Sequence, residues 1–129
     1  MQFKITVIDP MADDINASKH EYKFLRNLNT EKMFRDNTGA ELQAQLSTLY
    51  EIQANFENAD NLDDEEKKQS AIKARMDLNF SDTRHEVLKY MFAESKDGAL
   101  VQNDETRKHF DDIEDIDETQ ALVTFFRNV

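Results

Sequence analysis

Turn-forming residues are scarce in this chain, whose 129 residues include two glycines and one proline. Tight strand turns and phosphate-binding loops depend on such residues, because glycine supplies a positive φ and proline a fixed one. Helices need few of them. The sequence therefore predicts a mainly α fold, a small helical bundle with a short N-terminal β-strand or hairpin, in a single acidic domain over residues 1–129.

Acidic residues outnumber basic residues by 27 to 16, which gives a formal net charge of −11. Long-range repulsion of this size argues against nucleic-acid backbones and anionic membrane surfaces as partners. No segment approaches the roughly 20 consecutive apolar residues that a membrane span requires. The chain has no cysteine, which excludes disulfides and thiol chemistry. We expect a cytoplasmic protein that binds neither nucleic acid nor membrane.

The first residues alternate as they would in a β-strand. Phe3, Ile5 and Val7 fall on one side of an extended chain, so residues 2 to 8 are predicted to form a short strand. Residues 11 to 29 fit two patterns. A helix is favoured in the first half of that range. In the second half a hairpin partner for the opening strand is possible, and the choice between helix and strand stays open for residues 20–29.

Three later segments carry the cap and the apolar spacing of helices. The first follows the capping-box spacing of Thr38 to Glu41, the second follows Asp63, and the third follows Ser81 and is ended by Gly98. The apolar positions of the three are Leu42, Leu46, Leu49, Tyr50 and Phe56; Ile72 and Met76; and Val87, Leu88, Met91 and Phe92. The first and third stripes are expected to help form a shared core, whereas the second helix has only a thin apolar face.

Nine of the 27 acids lie between residues 97 and 118, where the only bases are Arg107 and Lys108. Phe110, Ile113 and Ile116 are spaced three apart within this acidic segment. Regular apolar positions are not typical of a disordered tail, so we predict a short helix that is partly docked on the core.

The residues that could support metal chemistry do not complete a site. His20 and His85 each precede a glutamate, as in a zinc-protease helix, but the second histidine of that motif is replaced by Phe24 and Lys89. The acidic run 111–118 lacks the glycine and the ligand spacing of a calcium loop. No glycine-rich phosphate loop or nucleophile elbow is present. We expect no metal, no cofactor and no catalytic residue.

The chain ends in a capped segment with an apolar face. Asp117 stands three residues before Gln120, as in a capping box, and the positions that follow at i, i+3, i+4 and i+7 are Leu122, Phe125, Phe126 and Val129. We identify these four residues as a candidate partner-binding face, because a helix entered through an acidic segment can swing out. The same face could instead close the core, and the sequence leaves both possibilities open.

A small, acidic, cysteine-free, mainly helical chain with QFKITV at residues 2–7 and YKFLRNL at residues 22–28 resembles the tail assembly chaperones of long-tailed phages of Gram-positive hosts. The resemblance covers the layout of the whole chain. It implies a non-enzymatic chaperone that coats the helical, apolar tape measure protein during tail assembly. It also implies self-association into a homo-oligomer and, for a phage protein, a place in the host cytoplasm.

Two alternatives from other classes accompany this interpretation. The first is an acidic DNA mimic, whose carboxylates imitate phosphates and occupy the basic groove of a nucleic-acid-binding protein; residues 97–118 offer a short acidic face of that kind. The second is an uncharacterised enzyme. Salt separates a DNA mimic from an apolar binder, because ionic strength screens charge pairing and leaves apolar contacts in place.

Overall fold

The computed structural model describes residues 3–8, 21–113 and 116–127. In chain order the elements are strands β1 (Phe3–Ile8) and β2 (Glu21–Arg26), helices α1 (Leu28–Thr38), α2 (Leu42–Glu57), α3 (Glu65–Met76) and α4 (Leu78–Met91), strands β3 (Phe92–Lys96) and β4 (Ala99–Val101), and helices α5 (Asp104–Asp111) and α6 (Glu118–Arg127). A short 3-10 turn, Ala59–Asn61, lies between α2 and α3. The predicted mainly α fold with an N-terminal hairpin is confirmed.

The four strands form one antiparallel sheet in the order β1-β2-β3-β4. Ile5 pairs with Phe24, and Phe24 pairs in turn with Phe92. The open choice for residues 20–29 is settled as strand over Glu21–Arg26, paired with the opening strand as predicted, and as helix from Leu28. The helix favoured for the first half of 11–29 lies outside the described residues.

The prediction that Gly98 ends the third helix is wrong. That helix, α4, ends at Met91, and the chain passes directly into β3. Asp97 and Gly98 have φ values of 53° and 84° and form the turn between Lys96 and Ala99. An Asp-Gly pair with two positive φ values suits a two-residue hairpin turn, because its twist matches that of the flanking strands.

The predicted cap at Thr38 is also wrong, because Thr38 is the last residue of α1, a helix that the apolar pattern did not predict. Its hydroxyl donates back to the carbonyl of Phe34 at 2.6 Å. Gly39 then ends α1 with a φ of 76°, a conformation that glycine adopts without strain. The next helix, α2, begins after Glu41 without a side-chain cap.

The other two predicted caps are displaced along the chain. Asp64, not Asp63, caps α3 by accepting from the amide of Glu66 at 2.9 Å. Asp77 caps α4 in the same manner, so Ser81 lies inside the helix. In both cases an Asp other than the predicted cap residue accepts from an N–H group of the first turn, and the sequence spacing alone does not choose between the candidates.

Helices and sheet share one cluster of buried apolar side chains. Its largest members are Phe24, Phe34, Leu42, Leu46, Leu49, Phe80, Val87, Leu88, Tyr90, Met91, Phe92, Phe110, Leu122 and Phe125. The predicted short docked helix in the acidic segment is confirmed as α5, where Phe110 is 1% exposed. Ile113 and Ile116 follow the end of α5 and pack against the cluster from its edge.

A polar cluster on α4 joins that helix to the two helices that follow. The ring nitrogens of His85 lie 2.7 Å from Oδ1 of Asp111 and 3.1 Å from Oε1 of Glu118. Lys89, one turn further along α4, lies 3.1 Å from the second oxygen of Asp111. Burial alone would raise the pKa of Asp111, but the hydrogen bonds with His85 and Lys89 outweigh it and hold this pKa below its ordinary value.

Asp111→Asn is expected to lower the melting temperature at neutral pH and to have little effect in acid. Because the pKa of Asp111 is lower in the folded chain, its carboxylate stabilises the fold above the ordinary carboxyl pKa, and this contribution is lost as the pH falls through the lowered value. Thermal denaturation across this pH range measures the difference between wild type and variant. The neighbouring Asp112→Asn is the control. A difference for Asp111→Asn that stays constant into acid would contradict the assignment.

Candidate functional site

The structure divides the four residues of the predicted partner-binding face. Leu122 is 0% exposed and Phe125 is 4% exposed, because α6 packs on α4 and β1 with these side chains inward. Both side chains are therefore part of the buried core, the role that the sequence left open beside partner binding. Phe126 is half-buried at the surface. Val129 lies outside the described residues.

Phe126 meets an exposed aromatic ring from α2. The rings of Tyr50 and Phe126 are 5.2 Å apart between centroids and nearly perpendicular, at 88°. Tyr50 is 57% exposed, although it belongs to the apolar stripe that was predicted to be core. Edge-to-face pairing stabilises two rings without burying either of them fully. The pair therefore leaves aromatic surface facing solvent.

Two cavities meet at this aromatic pair. One, of about 400 Å³, is bounded by Arg26, Gln43, Leu46, Ser47 and Phe125, together with the two rings. The other, of about 220 Å³, is bounded by Gln53, Ala54, Glu57, Val123 and Arg127, together with the same two rings. We refer to this surface, formed by the Tyr50–Phe126 pair and the two cavities, as the aromatic groove.

The aromatic groove follows one face of α2 along most of its length. Gln43, Ser47, Tyr50, Ala54 and Glu57 are spaced by three or four residues, and such positions lie above one another on a helix. At a rise of 1.5 Å per residue, the fourteen steps from the first to the last span about 21 Å. That length matches roughly four turns of a helix laid alongside α2.

Several polar groups of the aromatic groove already have partners near its two ends. Arg26 donates to Glu31 and to Gln43, each at 2.6 Å. Gln53 is buried, donates to Glu57 at 3.3 Å and accepts from Arg75 at 2.8 Å. The middle of the groove offers ring faces and aliphatic carbon, a surface that binds apolar side chains.

A third cavity, of about 540 Å³, lies between α2 and α3 and has Ile52, Leu62, Ala71 and Ala74 among its lining residues. Its rim carries Asp64, Glu66 and Lys67. No side chain of α3 is buried, although this helix lies directly against α2. Close by in sequence, Met76 and Leu78 are exposed at the corner between α3 and α4. This cavity has no exposed aromatic residue.

The histidines of the described segments are engaged with carboxylates. His85 lies between Asp111 and Glu118, and Nδ1 of His109 lies 2.7 Å from Oε1 of Glu94. His20 lies outside the described residues. Within the described part of the chain, no group of three or more His, Asp and Glu side chains is arranged to hold a metal ion. The absence of a metal site from the whole chain stays a prediction.

No helix among the described residues combines the length and the apolar character needed to cross a bilayer.

The aromatic groove joins a predicted site residue, Phe126, to an exposed aromatic side chain, that of Tyr50. Sequence reasoning missed Tyr50, and the available signal was its place beside Leu49, at the margin of the apolar stripe. Comparisons of the chain with protein-family models, with curated proteins and with solved structures gave no match.

Proposed function

We propose that the chain is a non-enzymatic binding protein that holds an apolar helical segment of another protein in the aromatic groove. The observation that carries this proposal is the Tyr50–Phe126 pair, an exposed aromatic centre between two cavities. Aromatic residues that lie beside pockets are the usual energetic centres of protein interfaces. A helix placed in such a groove inserts apolar side chains at i, i+3, i+4 and i+7.

The resemblance to phage tail assembly chaperones supplies the identity of the partner. A tape measure protein is long, helical and apolar, and it must stay unaggregated until the tail tube forms around it. A binding protein with a net charge of −11 supports this role, because a strongly charged exterior keeps a covered apolar segment from associating with others. The proposed function is therefore that of a tail assembly chaperone for the tape measure protein.

Tyr50→Ala and Phe126→Ala are expected to weaken partner capture strongly. Each removes half of the aromatic centre, and loss of such a residue costs about 2 kcal/mol, or roughly thirtyfold in Kd. The test is affinity capture from phage-infected host lysate, with mass spectrometry to identify the partner. Recovery of a tape measure protein by the wild type and its loss with both variants is the expected result.

Leu78→Ala is the matched control, because it removes an exposed apolar side chain that does not line the aromatic groove. It should capture the partner as well as the wild type does. Equal loss with Leu78→Ala and Tyr50→Ala would place the binding surface at the corner between α3 and α4. Circular dichroism of each variant separates loss of binding from loss of folding.

Salt distinguishes this proposal from an acidic DNA mimic. Apolar capture should persist between about 0.1 M and about 1 M salt, since the Debye length shrinks from about 10 Å to about 3 Å and weakens charge pairing alone. A partner released steeply over this range would instead support recognition of the acidic surface.

Sedimentation of the wild type and Tyr50→Ala tests the implied homo-oligomer, which should dissociate in the variant if a second copy occupies the groove.

A further inference from the structure

Two arginines converge on a single hydroxyl group where α3, α4 and α6 meet. Nη2 of Arg75 donates to Oγ1 of Thr119 at 2.8 Å, and Nη1 of Arg84 donates to the same oxygen at 3.0 Å. Both guanidinium groups also contact the ring of Phe80, at 4.7 and 5.7 Å from its centroid. Phe80 is buried, so the core itself holds the two positive charges side by side.

Among the residues that the structure describes, neither guanidinium forms an ion pair with a carboxylate. Burial and the charge of Arg84 lower the pKa of Arg75, and the charge of Asp117 acts weakly in the opposite direction. Two like charges side by side repel each other. This arrangement is unexpected in a chain with 27 acidic residues.

The acids that directly precede Thr119 are engaged elsewhere. Oδ1 of Asp117 accepts from the amide of Gln120 at 3.0 Å and caps α6. Oε1 of Glu118 lies 3.1 Å from the His85 ring. Within the described part of the chain, neither of these carboxylates forms an ion pair with Arg75 or Arg84.

Several donors in this cluster have no hydrogen-bond partner among the described residues. A guanidinium has five N–H donors; Arg75 uses Nε for Gln53 and Nη2 for Thr119, and Arg84 uses Nη1 for Thr119. Nε of Arg84 is buried without a partner among the described residues. The Thr119 hydroxyl accepts from both arginines and keeps its own hydrogen to donate. An acceptor with several oxygens would satisfy these groups together.

We propose that Arg75, Arg84 and Thr119 form a binding site for a phosphate-type oxyanion. A tetrahedral dianion can accept from both guanidinium groups at once, and its charge offsets their mutual repulsion. None of Arg75, Arg84 and Thr119 lines the aromatic groove, although Arg75 also donates to Gln53 at its edge. Loss of phosphate binding and loss of partner capture are therefore measured separately. Free phosphate and a phosphate monoester present the same oxygens, and both are probes of the site.

Titration of inorganic phosphate into the isotope-labelled chain, at an ionic strength held constant with chloride, tests this site. We expect saturable shifts of the Nε–H resonances of Arg75 and Arg84 at millimolar phosphate. Arg84→Gln should weaken binding at least about tenfold, because it removes a charged donor group. Arg35→Gln, which removes the same charge from an exposed position on α1, should bind as the wild type does.

A parallel titration with glycerol phosphate distinguishes an open site, which accepts both probes, from an enclosed one that accepts phosphate alone. Absence of saturable shifts at both arginines in the wild type overturns the proposal. Equal weakening by Arg84→Gln and Arg35→Gln overturns it too, because binding would then follow net charge. The measurement on the wild type needs no variant and stays decisive even if Arg84→Gln does not fold.

Discussion

Deletion of residues 120–129 is expected to abolish cooperative folding. The deletion removes Ala121, Leu122 and Phe125, which are all buried in the shared core. Loss of a buried Leu side chain costs about 2 to 5 kcal/mol and loss of a buried Phe about 3 to 5 kcal/mol. Their sum approaches or exceeds the total stability of a small domain, about 5 to 15 kcal/mol. Thermal denaturation followed by far-ultraviolet circular dichroism should show no cooperative transition.

Phe126→Ala is the matched control for this deletion. Phe126 lies on the same helix, but it is half-buried beside Tyr50, so its loss should lower the melting temperature by only a few degrees, for a cost of about 1 kcal/mol. If the deleted chain kept its melting temperature, α6 would be dispensable for the core. The whole C-terminal helix would then be a mobile contact element, contrary to the burial of Leu122 and Phe125.

The helices with dense apolar spacing were the most predictable part of the fold. Val87, Leu88 and Met91 were predicted as a stripe and are all buried. Such spacing has few interpretations, because it places the apolar side chains on one face of a helix, and that face packs against the core. The spacing continued through Phe92, however, where the backbone changes to a strand. An apolar pattern alone does not mark this change, since Phe92 is buried in either conformation.

Helix α1 was missed because its apolar face is thin. Phe34 is its only buried large apolar side chain, and Thr30 is its other buried residue. The missed signal is the capping box of Asn27 and Thr30, which recurs at Asn103 and Thr106 at the start of α5. In both boxes Thr occupies the position where Glu or Gln is the familiar indicator, and its hydroxyl accepts from the cap residue's amide.

The two candidate sites were less predictable than the helices, because each depends on which elements meet in space. Tyr50 and Phe126 are 76 positions apart along the chain, and only the packing of α6 beside α2 brings their rings together. Arg75, Arg84 and Thr119 come from three different helices in the same way. Periodicity assigns a residue to one face of its own helix, but it does not determine which faces remain uncovered.

Phe110→Ala is expected to destabilise the chain by about 3 to 5 kcal/mol, the usual cost of removing a buried phenyl ring. The ring of Phe110 lies 5.3 Å from that of Phe92, 6.4 Å from that of Phe24 and 5.1 Å from the imidazole of His85. It therefore connects α5 to α4 and to two strands of the sheet. Since Phe110 is the only large apolar side chain that α5 buries, no neighbour on that helix can replace it.

Denaturant unfolding of wild type, Phe110→Ala and Phe110→Leu measures this contribution, because the midpoint falls in proportion to stability when the slope is unchanged. Phe110→Leu retains most of the volume and should cost about 1 kcal/mol. Since α5 holds Asp111 beside His85, Phe110→Ala should also remove the difference that Asp111→Asn causes at neutral pH. A cost below about 1 kcal/mol for Phe110→Ala would mean that α5 rests on the core without depending on this ring.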